Sequence, residues 1–257
     1  MVKYAINNKQ YYKAETEFAR TTGTILTEFD DEIATRQISI AGDKILISSS
    51  LTDWDEEIGY LLYDGKKSEL DLTDSTLIDN NIFESFWKKG LESSKDKPAL
   101  SYQTGNAAFP LKDATVIAHV VNNKGKWGKG FVLALSEMYP AAEKEYKNWA
   151  SGRTEQAFLL GEVQFVSVAP GSRIFVANML AQDGIRKSAN DKTTYLSYEA
   201  LDRCLTALKE FSLRERLSIQ MPRIGAGLGG GDWEKIKSLL EENISYYKIE
   251  CTILSLD

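Results

Sequence analysis

Five glycines fall within seven residues of the stretch MPRIGAGLGGGDWEKI, at Gly225, Gly227, Gly229, Gly230 and Gly231, between an apolar run and a helix-like run. Backbone without side chains lets main-chain N–H groups approach an anion, and a helix starting just beyond adds the positive end of its dipole. The chemistry this implies is anion binding, with phosphate as the natural ligand. A second stretch of the same kind, HVVNNKGKWGKGF, places Gly125, Gly128 and Gly130 after another apolar run and ahead of another helix-like one. Two such turns at strand ends can close on a diphosphate from opposite sides.

The residue types around the turns narrow the choice. The loop of nucleoside triphosphatases needs Lys and Ser or Thr after its last glycine, whereas Asp232 and Trp233 follow Gly231 here. Gly225, Gly227 and Gly230 fit GxGxxG, with Glu250 twenty residues past Gly230, but the few residues after Glu250 leave no room for the second half of a dinucleotide fold. Asp232 stands where it can serve as acid or base, and equally where a helix N-cap belongs. His119, the one histidine, sits within an apolar run, the usual setting of a satisfied core residue. Cys204 and Cys251 lie in apolar periodic segments without metal-ligand spacing and are expected to be buried thiols. Neither a metal nor a cofactor is expected.

The elements that must position these residues are legible from periodicity. ALSYQTG, TVIAHVV, GEVQFVSVA, RIFVANMLA, LSIQMPRI and KIECTILSL read as strands. Helices are expected from about Gly130 through FVLALSEMY, from Pro140 at a first turn, along the face carrying Leu201, Leu205, Leu208 and Phe211, and over WEKIKSLLEENI. Strands and helices alternating in this way predict an α/β domain over residues 98–257, with helices on both sides of a mixed sheet.

Residues 1–97 have a different texture. TRQISIAGDKILISS alternates about a turn at Ala41-Gly42-Asp43 and reads as a hairpin; EIGYLLYDG reads as a short strand. DNNIFESFWKKG reads as a short helix capped by Asn80 or Asn81 and ended by Gly90. This predicts a small, mainly β domain, an α+β unit, joined near Lys97 through the linker-like LESSKDKPAL. Its 19 acidic and 12 basic side chains give −7, while residues 98–257 carry 18 and 19. An acidic face argues against duplex nucleic acid as its partner and fits a basic protein partner or plain solvation. No run reaches the roughly 18 apolar residues of a membrane span, and MVKYAINNKQYYKAE lacks a secretory core, so a cytoplasmic location without membrane contact is expected.

The two glycine stretches, AHVVNNKGKWGKGF and MPRIGAGLGGGDW, in this order and with strand and helix between them, resemble the macrodomain family of Appr-1-p processing type. The resemblance covers residue 99 to the end. It implies a three-layer α/β/α fold and ADP-ribose, free or on a macromolecule, as ligand. In that family the first strand ends in Gly-Asp, whose carboxylate takes the adenine amino group; here the pair is Gly105-Asn106, and Asn106 offers a weaker amide carbonyl. The resemblance assigns Asn122, Gly128 and Gly130 to the distal ribose and diphosphate, with Trp127 and Phe131 lining the cleft. It assigns Ile224, Gly225, Ala226, Gly227, Leu228, Gly229 and Gly230 to the phosphates.

The resemblance implies hydrolysis at the anomeric carbon, which needs a placed water or nucleophile and charge stabilisation. One branch carries a Lys at the end of the strand IFVANMLAQDGIRK, where Gln182 and then Asp183 stand; Lys187 follows five residues later. Another branch carries an Asp where Gly229 stands. Candidate catalytic residues are therefore Asn122, positioning water with the ligand phosphate, Gln182, and Asp183 or Asp232 as base. The alternative is a module that binds ADP-ribose or a related nucleotide signal without turnover.

Overall fold

Residues that alternate apolar and polar can bury one face of a sheet, and in the first unit they build a five-stranded antiparallel one. The computed structural model describes residues 9–93, 100–169, 171–188 and 190–256. Its chain divides into two compact units, Met1–Pro98 and Ala99–Asp257; the boundary expected near Lys97 lies outside the described residues. Unit 1 holds β1 (Lys9–Glu17), β2 (Thr22–Asp30), β3 (Ile33–Ala41), β4 (Lys44–Ser48), the two-residue pair β5 (Trp54–Asp55) and β6 (Gly59–Tyr60), β7 (Thr76–Ile78) and the helix α1 (Asn80–Ser93). The sheet order is β4-β3-β2-β1-β7.

The hairpin read at residues 33–48 forms, with Ile38 opposite Ile47 and Ile40 opposite Ile45. Two expectations are corrected. EIGYLLYDG contributes only Gly59–Tyr60 to a strand; Leu61 and Leu62 are instead buried in irregular backbone. Helix α1 runs past Gly90 to Ser93, with Asn80 as its first residue. Gly90 is there for closeness, since a Cβ on it would fall 2.3 Å from Ile47 Cγ2 on β4. Across the sheet, Arg36 donates to both carboxylate oxygens of Glu28, at 3.0 and 2.6 Å, and to Glu84 Oε1 at 2.6 Å, its guanidinium 4.8 Å from the centroids of Phe83 and Trp87. Burial opposes ionisation of Glu28, but Arg36 outweighs it and holds the carboxyl down at about 2.

Unit 2 follows the alternating pattern expected of it: β8 (Ser101–Thr104), β9 (Ala114–Asn122), α2 (Phe131–Met138), α3 (Pro140–Ala150), β10 (Val163–Ser167), β11 (Arg173–Gln182), α4 (Tyr198–Glu215), β12 (Ser218–Pro222), α5 (Trp233–Asn243) and β13 (Cys251–Ser255). The sheet order is β10-β11-β9-β12-β13-β8; β10 is antiparallel to β11 and every other pair is parallel. Strand residues alternate between two helix layers. Val116, Ala118, Ala177, Met179 and Ala181 pack with Leu201, Leu205 and Leu208 of α4 and Ile236 and Leu240 of α5. Ile117 and Val176 pack with Leu135 of α2 and Ala142 of α3, and Val121 and Leu180 with Tyr146 and Trp149 of α3. Both cysteines are buried in the first of these layers, and burial pushes each thiol up to about 12.

The chain leaves β9 toward β11 on one side and returns through α4 to β12 on the other. In parallel sheets the crevice at such a reversal, beyond the carboxyl ends of the strands, is where ligands sit. Asn122, Gln182 and Pro222 end the three strands that meet there.

Candidate active site

Both glycine turns open into one cleft of about 810 Å³, a volume that suits a nucleotide-sized ligand. The first turn leaves β9 at Asn122, whose side chain shapes it: Asn122 Oδ1 accepts from the N–H groups of Lys124 and Lys126 at 3.0 and 3.1 Å, and Nδ2 donates to Lys126 O at 2.7 Å. Trp127 is held by its indole N–H on Ser136 Oγ at 2.7 Å and by ring contacts with His119 and Tyr146, both at 5.3 Å. Gly128 and Gly130 take φ of +152° and +76°, and α2 begins directly after them.

The second turn depends on its glycines for packing as well as for conformation. Gly225 has φ +69°, and a Cβ there would meet Leu196 Cδ2 at 2.8 Å; one on Gly231 would meet the same atom at 2.5 Å, and one on Gly229 would reach Gly225 O at 2.8 Å. The turns face each other, since a Cβ on Gly130 would lie 3.6 Å from Leu228 Cδ1. The N–H groups of Gly128, Lys129, Gly130, Gly227, Leu228 and Gly229 have no hydrogen-bond partner among the described residues. Main-chain donors left unpaired at a cleft are unfavourable unless water or a ligand satisfies them.

A strap, described at residues 183–188 and 190–196, ties the turns together. Asn123 N donates to Gln182 O and Asn123 Nδ2 to Asp183 Oδ1; Asp183 N donates to Tyr195 O, and the N–H groups of Tyr195 and Leu196 both reach Gly229 O. Asp191 folds the strap, accepting from Lys187 N, Thr193 N and the Tyr195 hydroxyl, and these donors, the Lys187 amide first, hold its carboxyl well below the usual range.

The cleft gathers Asn122, Trp127, Gly128, Gly130, Phe131, Gln182, Ile224, Gly225, Gly227, Leu228 and Gly229. It does not gather five others that the sequence nominated. Asp232 caps α5, its Oδ1 accepting from Glu234 N at 2.9 Å, and it is not among the residues that line the cleft. Asp183 spends a carboxylate oxygen on Asn123 outside the cleft lining. Ala226 and Gly230 belong to the second turn but not to the lining, and Asn106 stands apart, its Oδ1 accepting from Ala108 N at 3.0 Å. Asn122 lines the cleft with its amide bracing the turn, and Gln182 Nε2 donates to Gly184 O while its Oε1 has no partner among the described residues.

His119 is 2% exposed, and its Nε2 lies 2.6 Å from Asn178 Oδ1. Asn178 Nδ2 donates to Gln164 Oε1 and Gln164 Nε2 to Glu145 O, so the imidazole is the donor of the pair. Burial pushes it down to about 4. Sequence reasoning missed the cationic lining, Lys126, Lys129, Arg186 and Arg223. The available signal was the density of Lys and Arg in the two stretches and the strap.

The geometry defines an α/β/α domain whose cleft offers main-chain donors to an anion from two sides. No family model matches the chain. The human ADP-ribose glycohydrolase OARD1 is 35% identical over 168 residues, which cover 65% of this chain and 97% of that protein. The ADP-ribose 1''-phosphate phosphatase of Saccharomyces cerevisiae is 27% identical, over 56% of this chain and 92% of its own. A solved macrodomain protein from Streptomyces coelicolor aligns at 36% identity and a TM-score of 0.53, covering 62% of this chain and 99% of its own. A Bacteroides thetaiotaomicron protein of unknown function aligns at 38% and 0.56, covering 61% and 98%. The chain belongs to the macrodomain family.

Proposed function

We propose that the second unit binds ADP-ribose across its cleft and hydrolyses a bond at the anomeric carbon of the distal ribose. One observation carries the binding half: six main-chain N–H groups on two facing turns have no partner among the described residues and border the same cleft. A diphosphate supplies the acceptors they need, and amides fixed in place beforehand cost little reorganisation. The relatives named for glycohydrolase and phosphatase activities support hydrolysis over binding alone.

The lining residues define the kind of hydrolysis. They include no Asp or Glu, and His119 is neutral and held by Asn178. A carboxylic acid is therefore absent from the described lining, and charge stabilisation and a placed water supply the rate. Gln182 Oε1, at the end of β11 and opposite Asn122 in register, accepts a hydrogen bond from that water. The full chain incubated with ADP-ribosylated protein, ADP-ribosylated DNA and ADP-ribose 1''-phosphate should release ADP-ribose from at least one. Gln182→Ala should lower kcat by about 10- to 100-fold, with ADP-ribose affinity changed much less. Tight ADP-ribose binding without turnover of any of the three would leave the binding module as the function.

A further inference from the structure

Trp54 and Tyr60 stand directly opposite each other in the short antiparallel pair of β5 and β6. Residues opposite in such a pair point to the same face, so the two rings stand side by side. Both are left to solvent, Trp54 at 60% and Tyr60 at 71% exposure. Of the five tryptophans Trp54 alone is exposed, and no described tyrosine is more exposed than Tyr60. Two large rings set together in water form a surface that a partner can cover, unlike a single scattered apolar residue.

The pair is firmly mounted. Asp55 Oδ1 accepts from Glu57 N and Ile58 N at 3.0 and 3.3 Å and closes the turn between the strands. Leu61 N donates to Asp53 O at 3.0 Å and Arg20 N to Glu57 O at 2.9 Å, and burial of Ile58, Leu61 and Leu62 anchors the segment. Rings held in place before contact lose little entropy on binding.

The charge carried by this segment has one sign. Between Lys44 and Lys66 the chain holds Asp53, Asp55, Glu56, Glu57 and Asp64 and no basic residue. Lys44 reaches Asp55 and Glu57, and Arg20 reaches Glu56. Arg20 and Glu56 are 66% and 67% exposed, so their pairing contributes little and yields to an incoming cation. The protein itself sets arginine over tryptophan twice, Arg36 over Trp87 and Arg223 over Trp233, each 4.8 Å from the ring centroid. Trp54 offers the same contact outward.

We propose that the face of Trp54 and Tyr60 docks an arginine-rich segment of a protein partner, its guanidinium groups stacking on the two rings and its remaining charge facing Asp53, Asp55, Glu56 and Glu57. This is independent of the ADP-ribose reading. A guanidinium is planar and weakly hydrated, which favours arginine over lysine on a ring. Nucleic acid strands and anionic membranes are repelled by the same carboxylates. A second copy meeting this face through a two-fold axis would set like charges against each other.

Calorimetry of the full chain at low salt, with capped six-residue peptides of arginine and of glutamate, tests the proposal. The arginine peptide should bind and the glutamate peptide should not. Trp54→Ala with Tyr60→Ala should weaken arginine-peptide binding by at least about tenfold, whereas Trp54→Phe with Tyr60→Phe, which keeps both rings, should stay within about threefold. No binding of the arginine peptide, or equal binding by the wild type and the alanine variant, would overturn the proposal, since attraction to acidic charge alone does not need the rings. If the double truncation alters the far-UV circular dichroism, Glu56→Lys takes its place: it spares both rings, should also weaken binding by at least about tenfold, and overturns the proposal if binding is unchanged. Sedimentation that finds the wild type dimeric and the alanine variant monomeric would assign the face to a second copy and overturn the proposal as well.

Discussion

His119 shows how far one side chain's role depends on what surrounds it. Read as a letter in an apolar run, it is a core histidine, and the structure keeps it 2% exposed while setting its ring against Trp127 and Phe131 at the floor of the cleft. The chain of amides from Glu145 O through Gln164 and Asn178 fixes the imidazole as donor, and burial outweighs that hydrogen bond to push its ionisation down to about 4. The unfolded chain binds this proton below its ordinary value of 6.5, and the folded chain does not until about 4. Stability is therefore lost as pH falls from 6.5 to about 4, by up to about 3 kcal/mol. Denaturant unfolding of the wild type and His119→Gln between pH 7 and pH 4 measures this. The wild type should lose more stability over that range than the variant, and parallel curves would show that His119 is not held neutral.

At the scale of elements, the two turns are legible in the sequence because glycine is the one residue that supplies both positive φ and bare backbone, and their neighbours announce strand and helix. The strap is not legible. Its course depends on hydrogen bonds between Asn123, Asp183, Tyr195 and Gly229, residues as much as 106 positions apart, which no local pattern encodes. The same distance effect explains Asp232: one residue cannot reveal whether it faces a ligand or the first turn of its own helix. In unit 1, Gly90 read as a helix end because glycine usually marks one, whereas contact with Ile47 across the packing interface required it within the helix. The glycine of the second turn that touches α4's approach is the sharpest test of such packing. Gly225→Ala places a Cβ 2.8 Å from Leu196 Cδ2 at φ +69° and should cost about 1–3 kcal/mol by thermal unfolding. Adding Leu196→Ala removes the clash but opens a cavity, so the double variant should be more stable than the sum of the single losses implies. Simple additivity would mean the turn accommodates the methyl by another route.

At the scale of the whole molecule, the alternation of strands and helices after residue 98 was enough to predict a three-layer domain, since each strand of a parallel sheet must bury both faces. The order of the six strands was not readable, because pairing between strands far apart in sequence leaves no trace in local periodicity. Charge divides along the same line as fold: the acidic excess lies in residues 1–97, and the cationic cleft in the second unit. Binding across the cleft depends on the two turns acting together as one diphosphate clamp. Isothermal calorimetry of ADP-ribose with the full chain and with Gly128→Glu tests it most directly. Gly128 has open space around it, so a glutamate side chain there meets no neighbouring atom and reaches the cleft where the diphosphate would lie, with backbone strain at φ +152°. The wild type should bind, and the variant should lose affinity by at least about 100-fold while remaining folded by circular dichroism. Binding of equal strength in both proteins would contradict the clamp.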